Sequence, residues 1–525
     1  MVPSDSAPGD DGAHRGGGIS GGARAAGPAL LGCAALVGLF SVLVPWGSYP
    51  VGFDVFRSLL IAWTWANEGF PQLLPMAGHT GLDVHFADQQ LGLDALLRVL
   101  GGRAVGPGLV PPLLWGLVAV QGLALWWAVR LLRPDASAWW ILLLPLVSQA
   151  WMFRCTTLRA MLLAVPLLVL LLAVTTARAR GAAVRPWPLA VCTGLFAYCH
   201  GAVEVPVLLW ALGAAGARFE GGRLPWRDGA WVLGGLLVAA FARPDFPHNL
   251  WLWNVLNLGL LRAKLDPSMQ VLPSELQPLA VSDLLATEWT FLLAAALAVV
   301  LSLRAGQRGR PAWSALLPVL LLVLAAVLSR RMLEMAAPAV LWAIAVHWRW
   351  RLPVGVAVAG FAAACWVHAP LASAGAEVNR VHELQTIGEW LAGRARLGDR
   401  VFVTDWGASS PLAWHTRARR LRFSGAVDPV YMWAHDPALW AEWQDVKLAR
   451  AEDPLRIVRD RFGARFLVFA VADAAAGAAP GTTANALRRA LGAAAERGVT
   501  FAWHHVYVDD PDHPRDWIAV DFGPG

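Results

Sequence analysis

Charge is what this sequence has least of. Only 15% of its 525 residues are Asp, Glu, Lys or Arg, against about 25% in an ordinary soluble domain. Hydrophobic residues make up 57%, and the mean hydropathy is +0.49. A water-soluble globule has no interior large enough to hide that much apolar surface, so the surplus must face lipid. A soluble enzyme, a disulfide scaffold and a disordered chain are thereby excluded. Lysine is nearly missing: Lys264 and Lys447 stand alone, and every other basic side chain is Arg. With abundant Ala and Gly, this bias reads as the product of a GC-rich bacterial genome. The net charge of +6 is therefore no nucleic-acid signal. Cysteine is sparse, and Cys33, Cys155, Cys192 and Cys365 lie in or beside apolar segments without metal or disulfide spacing. The phosphate-binding G-x-x-x-x-G-K-[ST] loop, a G-x-G-x-x-G after a strand and H-E-x-x-H are missing, and a G-x-S-x-G match, Gly18–Gly22, falls in the Gly-rich N-terminal segment and not at a strand-to-helix turn. This argues against nucleotide hydrolysis and against serine or zinc peptidase chemistry. There is no repeat at a solenoid period.

What the chain does have is apolar runs. They lie near 28–45, 108–129, 138–153, 160–177, 188–199, 202–217, 229–243, 287–303, 312–329, 335–348 and 352–369. These predict an α-helical polytopic membrane protein with about eleven transmembrane helices. Residues 1–27, rich in Gly, Ala, Ser and Asp, read as a disordered cytoplasmic tail. No small-residue cleavage site follows 28–45, which favours a signal anchor. The arginine loops at Arg130/Arg133, Arg178/Arg180/Arg185, Arg218/Arg223/Arg227, Arg304/Arg308/Arg310 and Arg349/Arg351 share one side only if 188–217 crosses twice, as two short helices meeting at His200. That bookkeeping puts the N-terminus inside. The loops 46–107 and 244–286, and everything after residue 370, then lie outside.

Composition changes near residue 371. From there to 525, short β-like runs (400–404, 465–470, 501–508, 517–522) alternate with helical periodicity at 376–395, 437–449, 454–462 and 483–497. This predicts a soluble periplasmic α/β domain following a membrane domain of residues 28–370. His504 and His505 are placed on a strand with their rings on opposite faces.

With that topology, the ionisable residues near membrane depth collect at the outer face, and such residues are expensive and usually functional. The first outer loop carries Asp54, Asp83 and His85; the next outer turn carries Arg154 and Arg159. The break at 200–204 supplies His200 and Glu204, the loop 244–286 opens with Arg243 and His248, and the last outer turn holds Arg331 and Glu334. Asp83 and His85 are metal-ligand types at i, i+2, a pattern that loop hydrogen bonding explains as well. His200 and Glu204, at i, i+4, either serve a site or satisfy each other. The arginines suit phosphate, because a guanidinium offers two parallel donors to two oxygens; an interfacial role is the alternative.

Asp54 after the first helix and Asp83-Val84-His85-Phe86 opening an amphipathic stretch resemble the polytopic GT-C glycosyltransferases. So do the break at Tyr198-Cys199-His200, the segment Pro244-Asp245-Phe246-Pro247-His248-Asn249-Leu250, and Arg330-Arg331-Met332-Leu333-Glu334. In the C-terminal domain, Val401-Phe402-Val403-Thr404-Asp405-Trp406 and Gly425-Ala426-Val427-Asp428-Pro429 resemble segments of bacterial relatives in that superfamily. The adjacent Asp-Glu pair of some branches is absent, so transfer to protein is not implied. The resemblance implies sugar transfer from a polyprenyl-phosphate-linked donor to a glycan or lipid acceptor at the outer face of a bacterial inner membrane. Asp54 would be the general base of an inverting displacement. Arg154, Arg159, Arg243 and Arg331 would take the donor phosphate. Asp83, His85, His200, Glu204, His248 and Glu334 would line the cavity, and Asp405 and Trp406 would lie on the acceptor side, with Trp414, Tyr431 and Trp433 as stacking faces. A divalent cation such as Mg or Mn on Asp83 and His85 would assist. Two rivals stand beside this reading: a non-catalytic relative that binds a lipid-linked glycan, and a secondary transporter. The one-sided polar cluster and the lack of half-repeats count against the transporter.

Overall fold

The computed structural model describes residues 20–48, 50–74, 76–222, 226–267, 269, 276–308, 312–378, 382–424, 428–471, 482–506 and 516–523. Every apolar run is helical. They form α1 (Ser20–Leu43), then, after the amphipathic α2 (Asp54–Glu68) and α3 (Leu91–Gly101), α4 (Val110–Leu132). The third run is broken: a 3-10 turn at Ala138–Leu143 leads into α5 (Leu144–Val147) and α6 (Gln149–Arg154). There follow α7 (Met161–Ala179), α8 (Trp187–Cys199), α9 (Glu204–Phe219) and α10 (Trp226–Ala242). The loop helices α11 (His248–Asn254), α12 (Leu260–Leu265) and α13 (Val281–Thr287) come next. The apolar series closes with α14 (Trp289–Gln307), α15 (Trp313–Leu328), α16 (Leu333–His347) and α17 (Val354–Val367).

Among the described residues, four helices are long and apolar enough to cross a membrane; α17 and the following α18 (Ala369–Val378), bent by 40°, make a fifth if counted as one span. The chain is thus a multi-pass membrane protein by the length and composition of its helices. The others are short: α8 and α9 are 13 and 16 residues long, below the roughly 20 residues needed to span about 30 Å of hydrocarbon unaided. They are buried among neighbours instead, α8 against α7 and α10, α9 against α7 and α15. Gly235 makes the α8–α10 approach possible, since a Cβ there would fall 2.2 Å from the Ala190 carbonyl oxygen. At the N-terminus the sequence expectation is corrected. Helix α1 begins at Ser20, inside the segment read as a disordered tail, and residues 1–19 lie outside the described residues.

The C-terminal unit is α/β. A five-stranded sheet has the order β2-β1-β3-β5-β4, built from β1 (Arg400–Val403), β2 (Arg422–Ser424), β3 (Phe466–Ala470), β4 (Ala502–Val506) and β5 (Trp517–Asp521). The first three strands are parallel, with Val401 opposite both Phe423 and Phe466; β5 runs antiparallel to β3, and β4 antiparallel to β5. Helices α19 (Glu383–Arg394), α20 (Ser409–His415), α21 (Pro429–His435), α22 (Pro437–Lys447), α23 (Pro454–Arg456) and α24 (Thr482–Glu496) connect and cover it. Three Asp-Pro pairs start three of these helices. Asp428, Asp436 and Asp453 each accept a backbone N–H while the proline occupies the first helical position. His504 and His505 do face opposite ways on β4: His504 stacks on Trp390, and His505 meets Asp516 at 3.3 Å.

Several contacts tie the membrane and C-terminal parts together. Among them, helix α2 packs on α20, and Gly78, between α2 and α3, pairs with Ser424 in a parallel bridge at the free edge of β2. Only glycine fits there, because a Cβ at position 78 would lie 2.8 Å from the Phe423 carbonyl oxygen.

Candidate active site

Where α7, α9, α12 and α15 meet below α21, they enclose a cavity of about 370 Å³. Its lining combines the ionisable Arg159, His200, Glu204, Lys264 and Arg331 with apolar residues. Of these, Leu208, Leu261 and Leu328 are 47%, 56% and 55% exposed, so the apolar lining reaches the surface of the bundle. The C-terminal unit adds Asp428 and Val430, the cap and first turn of α21. Tyr431, on the same turn, donates to Gln89 Oε1 at 3.0 Å, and Gln89 and Gln90 also line the cavity.

The site residues predicted from sequence fall into three groups. Arg159, His200, Glu204 and Arg331 meet in the cavity. The break at His200 arises because its backbone is extended after α8, and its Nδ1 accepts from the Ala202 amide. Asp54 stands one contact away: its Oδ2 lies 3.0 Å from Arg159 Nη2, and its side chain keeps 30% exposure. It opens α2 rather than sitting in an irregular loop. The turn Asp405-Trp406-Gly407 supports this end of α2. Asp405 accepts from the Gly407 amide, and Gly407 packs against Phe53, the residue before Asp54.

A second group is turned inward. Arg154 and Glu334 form a buried pair at 3.3 Å beside the cavity. Arg243 corrects the expectation of a phosphate donor. It is fully buried, grips Asp245 with two nitrogens at 2.9 and 2.7 Å, and donates to the carbonyls of Ala197 and Asp88. Its neighbours Arg57 and Asp88 pair at 2.5 Å, and the Asp88 amide donates to Asp245 Oδ2 at 3.0 Å. Burial opposes the charge on Asp88, but Arg57 overrides it and holds the carboxyl below its usual range. Burial and then the Asp88 charge push Asp94 well above its own. This network clamps α2, α3 and the start of the 244–286 loop together, and so fixes Gln89 and Gln90 on the cavity wall. Sequence spacing carried one usable signal for it, the adjacent Arg243 and Asp245.

The third group points elsewhere. Asp83 accepts from the His79 amide at 3.0 Å and faces Arg400 of β1. His85 stacks on His248 with ring centroids 4.3 Å apart. Asp83 and His85 therefore do not converge on one ion, and among the described residues no three His, Cys, Asp or Glu side chains could hold a metal. The donor set does not fit the expected cation. Trp414 and Tyr431 are buried in packing, not presented as stacking faces, and Trp433 is half-buried. In the motif 425–429, residues 425–427 lie outside the described residues. Asp428, the roof carboxylate, went unassigned from sequence; the Asp-Pro cap was the signal for its position.

No protein-family model and no curated protein matches the chain by sequence. Solved structures do. The oligosaccharyltransferase AglB of Archaeoglobus fulgidus, in complex with an inhibitory peptide and a dolichol-phosphate, is 13% identical, with a TM-score of 0.58 over 84% of this chain and 69% of that one. ArnT of Cupriavidus metallidurans, bound to undecaprenyl phosphate, is 14% identical, with a TM-score of 0.52 over 95% of this chain and 100% of that one. At such identities the likeness is one of fold. The chain is thus similar in fold to AglB and ArnT, which are GT-C superfamily glycosyltransferases.

Proposed function

We propose that the protein is a glycosyltransferase that moves a sugar from a polyprenyl-phosphate-linked donor to an envelope glycan or lipid acceptor, at the outer, periplasmic face of a bacterial inner membrane. The reading includes eleven crossings, an N-terminus inside and a periplasmic C-terminal unit. The observation that carries it is the mixed lining of the cavity. A donor with an isoprenoid tail has to enter from the bilayer, and the exposed Leu208, Leu261 and Leu328 would give the tail an apolar way in. Its anionic head would meet Arg159 and Arg331. The fold supports the same reading, since the similar AglB and ArnT structures hold dolichol-phosphate and undecaprenyl phosphate.

In the proposed step, an acceptor hydroxyl oxygen attacks the anomeric carbon from the face opposite the phosphate. The new C–O bond forms as the bond to the phosphate oxygen breaks, inverting the centre. The hydroxyl proton passes to the Asp54 carboxylate, and the bonding pair leaves with the polyprenyl phosphate, whose charge Arg159 and Arg331 take up. Arg159 would thus touch both participants, base and leaving group. Glu204 and Asp428, the carboxylates on the cavity wall itself, are the alternatives for the base. Mass spectrometry of lipid-linked sugars and envelope glycans with and without the protein tests the reading. A lipid-linked sugar should accumulate and one glycan substituent should vanish when the protein is removed. Unchanged profiles would overturn it, and donor binding without turnover on any acceptor would favour a non-catalytic relative.

A further inference from the structure

A second cavity, of about 450 Å³, lies between the C-terminal half of α2 and the C-terminal unit. Leu60, Trp63, Thr64 and Glu68 form one side, a single stripe of α2. Facing them are Arg417, Arg420 and Arg422, from the turn that leads into β2. The arginines are not spent on one another's neighbours. Arg420 pairs with Glu68 at 2.8 Å, but among the described residues Arg417 and Arg422 have no carboxylate partner. Arg417 lies over Trp414 at 4.2 Å and Trp63 at 5.6 Å, and gives one N–H to the Trp414 carbonyl. Burial pulls it below the usual arginine range.

A half-buried guanidinium held against indole faces, with donors left over, is built for an anion carried on something flat and hydroxylated. We propose that this groove binds the acceptor, and that the acceptor is an acidic oligosaccharide. Arg417 and Arg422 would take its carboxylate or phosphate groups, and Trp63 a ring face. Calling the ligand an acceptor rests on the transferase reading. Helix α2 joins the two places. From Asp54 to Leu60 and on to Glu68 it rises roughly 9 to 21 Å at 1.5 Å per residue, so a chain of sugars, not a single one, reaches from the groove to the base. The C-terminal unit contributes to both ends, with Asp428 over the donor cavity and Arg417 to Arg422 in the groove.

The test uses the full chain in phosphatidylcholine nanodiscs, titrated with trigalacturonate, maltotriose and glycerol phosphate while tryptophan fluorescence is followed. Trigalacturonate should give a saturable, salt-sensitive change. Maltotriose should bind at least about tenfold more weakly, and Arg417→Gln and the exposed Arg422→Gln should each weaken trigalacturonate by about tenfold. Equal binding of charged and neutral trisaccharides, or no effect in Arg422→Gln with its fold intact, overturns the proposal. So does glycerol phosphate binding as tightly as the trisaccharide, which would make the groove a lipid-headgroup site. Asp54→Asn should bind trigalacturonate like the wild type. Binding without any transfer would therefore retire the transferase reading and keep the groove, while transfer to neutral acceptors alone would do the reverse.

Discussion

Asp54 and Arg159 face each other across 3.0 Å, the first at the start of α2, the second on the wall of the cavity beneath α21. The pair joins α2 to the bundle at the point where, on the proposed reading, donor and acceptor would meet. Asn is nearly isosteric with Asp and a far weaker base. Asp54→Asn is therefore expected to lower transfer by roughly 10²–10⁴-fold with donor binding largely retained. Wild-type rates in the purified variant would move the base to Glu204 or Asp428.

Phosphate recognition by the cavity arginines predicts a contrast between charge and shape. Arg331→Lys keeps the charge and loses the planar fork. Donor affinity should fall roughly 10- to 100-fold, in line with the roughly 1.5–3 kcal/mol of a hydrogen bond to a charged group. Arg308→Lys, in a loop at the far end of α14, should leave it unchanged. Equal behaviour of the two in a polyprenyl-phosphate binding assay would reduce the cavity arginines to interfacial anchors.

The buried network predicts two unlike carboxylates. Asp88→Asn strips Arg57 of its partner and should cost about 3–5 kcal/mol, as breaking a buried pair does. Asp94, whose carboxyl is pushed well above its usual range by burial and then by the Asp88 charge, should tolerate Asn at about 1 kcal/mol or less. Thermal unfolding in detergent at neutral pH measures both.

His415, at the end of α20 against α2, is held to about 4, against an ordinary 6.5, by burial and then by Arg417. The unfolded chain takes up this proton below 6.5 and the folded chain does not until about 4. Stability should therefore be complete above 6.5 and decline as the pH falls through that window. His415→Asn should flatten the decline, as read from unfolding midpoints between those pH values.

Topology has its own test. Reporter fusions after Arg180, Arg227 and Arg310 should report cytoplasm, and one after Arg380 periplasm. A periplasmic signal at Arg227 would mean that 188–217 crosses once, and the shared outer face would come apart.

The bundle was legible because lipid imposes composition: every apolar run became helical, and even the break at His200 was marked by a His-Gly pair inside an apolar stretch. Four of the five strands were legible from short β-branched and aromatic runs. Strand β2, three residues long, leaves no periodicity to read. The site was half legible. Arg159, Glu204 and Arg331 could be grouped by topology alone, but Arg243 could not be told from them. What removes it from the cavity is a bidentate bond to Asp245, and sequence shows the neighbour without showing the burial. Asp428 was hidden for the opposite reason, as it reaches the cavity only through the docking of a distant domain.

The bridge between Gly78 and Ser424 sets an order of events. The segment around Gly78 emerges in synthesis well before its partner strand, which lies far further along the chain. Until that part has been delivered to the same side of the membrane, the early loop must wait with its pairing groups unmet. A C-terminal unit produced alone would meanwhile carry β2 as an open edge, ready to pair with another copy of itself. Completion of this fold therefore waits on the C-terminal unit, and the cavity gains its Asp428 roof only when that unit docks.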